Sequence, residues 1–449
     1  MLQIRGERKN CYAYVRLRSP LYICNMTLKQ VVYSLKRRLD DSDAKSPLNF
    51  KYISMLSFML SSIGSWPHRQ FGRRRLDFIL SMYNMLLIVV AMALPSLGAT
   101  YIWYKRETIS FFDAGHVLLC MFLEFLFLQR LFMAWTDKYR EIIKDYLLEF
   151  HLFYFKNRSQ YASKIHTQIH NISVIFTLYM ACQMICGMCL FTFMPWYNNY
   201  NNGMFGPDRP ANRTFEQAVY FYCFTEDVYT TIKGYWVLFV FNIPTAYNTS
   251  CGVVAFDLLI SLIVFQIWGH LKILKHNLSS IIPKDGMYSP EENMRVREVL
   301  KEIIEHHKLI ITFVDKCSNA LSEELFVFYM MMQLLTCTCL LEVSSLSTDA
   351  LAKYGSITLV VHQQLIQVSI LFEMISAKSE QLIDAVYAMP WQCMDTSNRK
   401  TVMVLLQRTQ TPITLKAAKM VPVGLQTMAA VLKTTFSYYM MLNAVAGER

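Results

Sequence analysis

Charged residues are scarce in this sequence: Asp, Glu, Lys and Arg make up 17% of it, against 54% apolar residues. A chain of 449 residues with that ratio is not a soluble enzyme. Glycine is sparse too, at 15 residues, while Met, Phe and Tyr number 27, 29 and 26. Long helices packed in lipid suit that balance better than a membrane β-barrel does. No Walker loop, GxGxxG or GxSxG occurs, which removes the usual signatures of phosphate, dinucleotide and acyl chemistry. His306 and His307 stand beside Glu305 without HExxH spacing and read as a solvated helix face. The twelve cysteines form no framework. Most sit inside apolar runs, as Cys182, Cys186, Cys189, Cys337 and Cys339 do, and act as small hydrophobes. Only Cys223 and Cys251 fall in a region read as outside, where one loop disulfide is open to them. The N-terminus has no apolar core followed by a cleavage site, so the first residues are expected to stay cytoplasmic. No catalytic residue, metal or cofactor is expected.

What the chain has instead is apolar runs long enough to cross a hydrocarbon core of about 30 Å. They predict an all-α integral membrane protein with seven transmembrane helices, at about 78–104, 111–135, 169–196, 249–274, 325–346, 357–377 and 421–445. Residues 1–77 form a basic N-terminal region, in which Tyr52–Ile63 is too short to span and reads as a re-entrant or interfacial helix. The seven-span domain covers 78–445, with polar cytoplasmic segments at 275–320 and 378–420. Within the first of these, Val296, Leu300, Ile303, Ile310 and Val314 mark an amphipathic helix. Residues 215–247 are apolar in two pieces, interrupted by Glu226, Asp227 and Lys233. They are expected to belong to a folded outer loop, 197–248.

The net charge of +11 does not point to nucleic acid, because the basic residues lie between apolar runs rather than on a globular domain. Nearly all fall in the N-terminal region and in the loops after spans two, four and six. That bias puts the N-terminus in the cytoplasm and the C-terminus outside, the reverse of a G-protein-coupled receptor. Sequons at Asn212 and Asn248 then face outward as glycosylation candidates.

Two sets of side chains are candidates for function. The outer halves of spans two, three, four and six offer His116, Phe122, Met188, Phe191, Phe256 and His362, the last beside Gln363 and Gln364. An aromatic and methionine-rich lining with one or two polar groups suits a small volatile ligand, and the same residues also suit core packing or interhelical hydrogen bonds. The seventh span carries a stripe at helical period: Ala430, Thr434, Ser437, Met441 and Val445. Such a stripe serves close helix packing or lines an aqueous path with an apolar outer constriction. Lys433 lies mid-span and needs a partner or water. Glu373 on span six is one candidate partner.

The segments SEQLIDAVYAMPW (Ser379–Trp391), LLQRTQTPITLKAAKM (Leu405–Met420) and VLKTTFSYYMML (Val431–Leu442) carry a resemblance to the insect odorant receptors. Ile63–Pro67, His270–Leu278 and Leu321–Met330 support it, in the same order and spacing. The resemblance implies seven spans with an inside N-terminus, and four subunits forming an odorant-gated cation channel around their seventh helices. It also implies a cytoplasmic anchor region that holds the subunits together. The 275–319 loop lacks the large insertion of the family's co-receptor, so the chain resembles a tuning subunit that assembles with that co-receptor. A small volatile odorant and membrane lipid are the other implied partners, and the plasma membrane of sensory neurons the implied location. Met441 and Val445 match positions at the family's outer pore constriction, with Thr434 and Ser437 on the same stripe. The chain departs from the family at Ala418, Gln426 and Met428, where Gly, Glu and Phe are usual. Gustatory receptors are the near alternative; a multi-span enzyme or a G-protein-coupled receptor are the distant ones.

Overall fold

The computed structural model describes residues 44–447 apart from 207–213, 223–226, 345–347 and 418–420. Asn212 and Cys223 lie outside the described residues, as do residues 1–43 and the side chain of Val445. Among its described residues, the unit Lys45–Arg449 is all-α apart from one hairpin of two two-residue strands. Its helices of more than one turn are α1 (Lys51–Ser62), α2 (Arg74–Lys105), α3 (Phe111–Met133), α4 (Asp137–Asp145) and α5 (Gln160–Asn201). They continue with α6 (Ile232–Leu278), α7 (Pro290–Ser344), α8 (Thr348–Tyr387), α9 (Thr396–Thr409) and α10 (Leu425–Gly447). Among the described residues, α2, α3, α5, α6, α7 and α8 are each long and apolar enough to cross a membrane. The 23-residue α10 occupies the seventh expected span.

The α1 helix buries Tyr52, Ile53, Leu56, Met59 and Leu60 against the rest of the bundle, chiefly α6 and α5. It stops at Gly64, whose φ of +68° favours a residue without Cβ. A Cβ there would also stand 2.2 Å from the Leu80 carbonyl. The turn is pinned from three sides. Asn84 Nδ2 donates to the Ile63 carbonyl at 2.8 Å, Trp135 Nε1 donates to Asn84 Oδ1 at 2.7 Å, and Tyr139 Oη donates to the Ser65 carbonyl at 3.2 Å. Gly64→Ala is therefore expected to lower stability by more than ~2 kcal/mol, from left-handed strain plus the clash. A melting temperature of the detergent-solubilised variant equal to wild type would contradict this packing.

The α6 helix is the axis of the bundle. It touches α1, α3, α5, α7 and α8, and residues 251–267 of it are buried without a break. At Gly252 an added Cβ would come within 2.3 Å of the Phe127 ring, so glycine lets α3 approach there. The helix corrects three expectations. The fourth span does not begin at Thr249: residues 232–248 belong to the same helix rather than to an outer loop, and Pro244 is carried inside it. Intramembrane helices tolerate such a proline because neighbouring groups take up the freed backbone atoms. Asn248 is buried, with its Oδ1 accepting from Tyr83 Oη at 3.4 Å, so its sequon is not an exposed glycosylation site. Cys251 is a free, buried thiol that donates to the Met59 carbonyl at 3.3 Å, and does not lie on the outer surface.

The segment 275–320 is not a separate loop helix either. The apolar stripe of Leu300, Ile303, Ile310 and Val314 is buried as its period required, but it runs on without interruption into span five as the 55-residue α7. His306 and His307, expected on a solvated face, are both buried. His270 Nε2 donates to the Phe150 carbonyl at 2.6 Å, which leaves Nδ1 to accept from His306 Nε2 at 2.9 Å. Nearby, His151 Nε2 and Tyr52 Oη are 2.8 Å apart. Burial, reinforced by His166 and His170, holds the His151 imidazole neutral well below the usual histidine range. The α9 helix packs on α7 and is tied to its first turn by Asn398 Nδ2, which donates to the Asn293 carbonyl at 2.9 Å.

Candidate ligand cavity and the exposed face of the last helix

A cavity of about 150 Å³ lies between α3, α5, α6 and α8, with Val219 of the preceding loop on its wall. Its surface is mostly apolar. Leu123 comes from α3, Met184, Gly187, Met188 and Phe191 from α5, Ala246, Val253 and Val254 from α6, and Ile357, Val360 and Val361 from α8. A dry cavity of about 150 Å³ is known to take a benzene-sized guest. The polar lining is Cys120, Glu124, Gln183, Thr245, Thr249, Ser250 and Gln364. Thr249 Oγ1 stands 2.6 Å from Glu124 Oε1 and 3.0 Å from the Thr245 carbonyl. Gln183 donates to Gln363, which bridges α5 to α8. A larger open groove, about 620 Å³, lies between α7 and α9 and carries Lys308, Lys400 and Arg408. It belongs to the polar end of α7, away from the apolar spans.

Of the candidate ligand residues, Met188 and Phe191 reach the cavity wall and the other four do not. His116 stands behind Phe191, ring centroids 6.3 Å apart, and its Nε2 donates to the Ala218 carbonyl at 3.0 Å. Phe122 is half-buried on α3, turned away from the cavity. His362 Nδ1 donates back to the Thr358 carbonyl of its own helix at 2.7 Å. Phe256 is fully buried beneath the cavity, packed on the Tyr139 ring and the Arg130 guanidinium. Helix rotation decides these placements, and a list of aromatic residues at one depth carries no rotation.

Beneath the cavity lies a charge cluster that the apolar pattern concealed. Arg130 of α3 is 2.8 Å from Asp257 of α6 and 3.0 Å from Glu324 of α7, and all three are at least 96% buried. Its Nη1 donates to the carbonyl of Val253, whose side chain lines the cavity, at 3.5 Å. Phe256 and Phe328 stack over the guanidinium, each centroid 5.7 Å away. The signal was present in the sequence: Glu124, Arg130 and Asp257 each interrupt an apolar run, and an ionisable residue inside a span marks function or a buried pair.

The two-stranded hairpin β1 (Lys416–Ala417) and β2 (Val421–Pro422) leads into α10. Glu373 accepts from the Leu425 amide at 3.2 Å, so its carboxylate serves the positive end of that helix. It is not the partner of Lys433, which is exposed on α10. Val431 and Thr435 are buried on the side of α10 that packs on α7 and α8. Ala430, Thr434, Ser437 and Met441 are exposed on a flank of the helix beside that packed side, Met441 by 58%. The Thr434 hydroxyl accepts from Gln333 of α7 at 3.0 Å, and Ser437 donates to the Lys433 carbonyl at 3.1 Å.

A family model described as "7tm Odorant receptor" matches residues 111–436. Odorant receptor 10 of Aedes albopictus is 24% identical over 181 residues, covering 39% of this chain and 46% of that protein. Odorant receptor 42a of Drosophila melanogaster is 25% identical over 182 residues, covering 40% and 44% respectively. The chain thus spans about half the length of the curated relatives it matches. In fold, it is similar to the insect olfactory receptor OR5 from Machilis hrabei, of which one of two matching structures is a complex with eugenol. The eugenol complex aligns with a TM-score of 0.70 at 14% identity, covering 88% of this chain and 98% of that one. The second OR5 structure aligns with the same TM-score and identity, covering 87% of this chain and 97% of that one.

Proposed function

The chain belongs to the 7tm odorant receptor family, a multi-pass membrane receptor and not an enzyme, and from that premise we propose that it is one subunit of an odorant-gated cation channel. A small volatile odorant binds in the cavity between α3, α5, α6 and α8, and the channel opens along the exposed face of α10. The observation that carries the channel half of this reading is that face. Ala430, Thr434, Ser437 and Met441 stay exposed while Val431 and Thr435 pack inward. The exposed side of a spanning helix meets lipid, water or another subunit, and the Thr434 and Ser437 hydroxyls there suit water or a subunit better than lipid. Four such helices around one axis would place Thr434 and Ser437 along a wet wall, with Met441 and Val445 at an apolar outer constriction. Lys433, exposed on the same helix, is assigned to the edge of that stripe rather than to the cation path, which its charge would oppose.

In this reading the chain is a tuning subunit. It assembles as a heterotetramer with the family's co-receptor in the plasma membrane of sensory neurons, through the cytoplasmic segments 275–320 and 378–420. The N-terminus is inside and the C-terminus outside, with Asn212 as the remaining glycosylation candidate. The test is co-expression with the co-receptor, recording current evoked by a broad panel of volatiles while G-proteins are blocked. Fast current that survives the block is the expected result. Current that the block abolishes, or no current to any volatile, would contradict direct gating.

A further inference from the structure

The cavity wall holds one acid and no base. Glu124 is 93% buried there, and among the described residues Thr249 is its only hydrogen-bond partner. The nearest base along its own helix, Arg130, is engaged with Asp257 and Glu324. A carboxylate so placed would be a buried charge without a counter-charge, among the costliest states a span can hold.

The hydrogen count points the same way. Thr249 has one hydroxyl proton and two acceptors in reach, Glu124 Oε1 at 2.6 Å and the Thr245 carbonyl at 3.0 Å. Both contacts are satisfied when Glu124 is the neutral acid: its O–H donates to Thr249 Oγ1, and the Thr249 hydroxyl donates to Thr245. A neutral Glu124 keeps its second oxygen as an acceptor at the cavity wall. Gln364 lines the same cavity from α8 and is 96% buried, and its amide offers a donor there. An acceptor from α3 and a donor from α8 in one apolar cavity match a hydroxyl, which gives one hydrogen bond and takes another. An ether or ester oxygen would satisfy Gln364 and leave Glu124 unmet.

We infer that this cavity selects a neutral alcohol or phenol of about one ring, whose O–H donates to Glu124 and whose oxygen accepts from Gln364. The inference rests on the ligand-gated reading above and names the ligand class for it. Size follows from the cavity, since about 150 Å³ admits a benzene-sized body and little more.

Benzyl alcohol and anisole are isomers of that size, and only the first can donate. With the full chain and the co-receptor expressed together, half-maximal current is expected at a roughly three- to tenfold lower concentration of benzyl alcohol than of anisole. Glu124→Gln keeps both an amide donor toward Thr249 and an oxygen toward the ligand, so it should retain most of that preference. Glu124→Leu should still answer anisole and lose the preference. Equal responses to the two isomers in wild type, or an undiminished preference in Glu124→Leu, would overturn the inference. So would a wild type that answers benzylammonium while Glu124→Gln does not, because that behaviour requires the ionised acid. A wild type that answers long-chain esters but neither ring compound overturns the ligand class and leaves the channel standing. Silence to every volatile contradicts the channel reading itself, and this inference with it.

Discussion

Replacing Arg130 with methionine is expected to remove most of the protein from the cell surface. The substitution fills the space but leaves Asp257 and Glu324 facing each other, each almost wholly buried, with no cation between them. Removing one partner from a buried ion cluster costs about 3–5 kcal/mol, a large share of the 5–15 kcal/mol typical of a folded protein. The cost arises from the unpaired charges and not from lost packing, and that origin can be tested. A triple variant, Arg130→Met with Asp257→Leu and Glu324→Met, carries no buried charge and should recover much of the surface level. Surface biotinylation of the single and triple variants measures both. Wild-type levels for Arg130→Met would mean that the cluster does not hold α3, α6 and α7 together. A triple variant worse than the single one would assign the cost to shape.

The second large effect is expected at Gly187. An added Cβ there meets no atom within 4 Å, because the position opens on the cavity. Gly187→Phe would place a phenyl ring, itself benzene-sized, into a space of about that volume. Folding should not suffer, since replacing a helical glycine removes up to ~1 kcal/mol of helix penalty. Response to whichever agonist a volatile panel identifies should weaken at least about tenfold, at an unchanged surface level. Gly187→Ala, which leaves most of the space free, should change the response little. An unaltered dose–response curve for Gly187→Phe would move ligand binding elsewhere in the protein.

The two effects sit differently with respect to what sequence reveals. Span positions are legible because hydrocarbon thickness sets a minimum apolar length, and each of the seven expected runs falls mainly on a helix, although the last begins at Leu425 rather than at 421, where Val421–Pro422 pair in the hairpin. Helix ends are not, because beyond the membrane a helix needs only local propensity and a packing partner. That is how α7 extends back to Pro290 through residues too polar for any span. Residues 232–248 differ from the loop expectation for a related reason. Lys233 looks like an interruption when each apolar piece is weighed alone, whereas one long helix absorbs it. On α10, 3.6-residue periodicity reports rotation directly, and Ala430, Thr434, Ser437 and Met441 do share one exposed flank. The cavity was half readable: Met188 and Phe191 reach it, while Phe256 points underneath. No single-helix period fixes how four helices turn toward one another. The buried charges were legible in type but not in partner. Arg130, Asp257 and Glu324 are far apart in sequence, and only the crossing of α3, α6 and α7 makes them neighbours.

Current evoked by an odorant does not by itself show that this chain forms the pore, because a co-receptor could carry all of it. A cysteine at Met441, the exposed residue at the outer part of the α10 stripe, separates the two cases. Whole-cell current through Met441→Cys, co-expressed with the co-receptor, is recorded before and after a membrane-impermeant thiol reagent is applied from outside. The account predicts that modification reduces the odorant-evoked current or changes its ion selectivity, while wild type treated in the same way does not change. Confirmed labelling of Met441→Cys with current and selectivity unaltered would contradict the claim that α10 of this chain lines the channel.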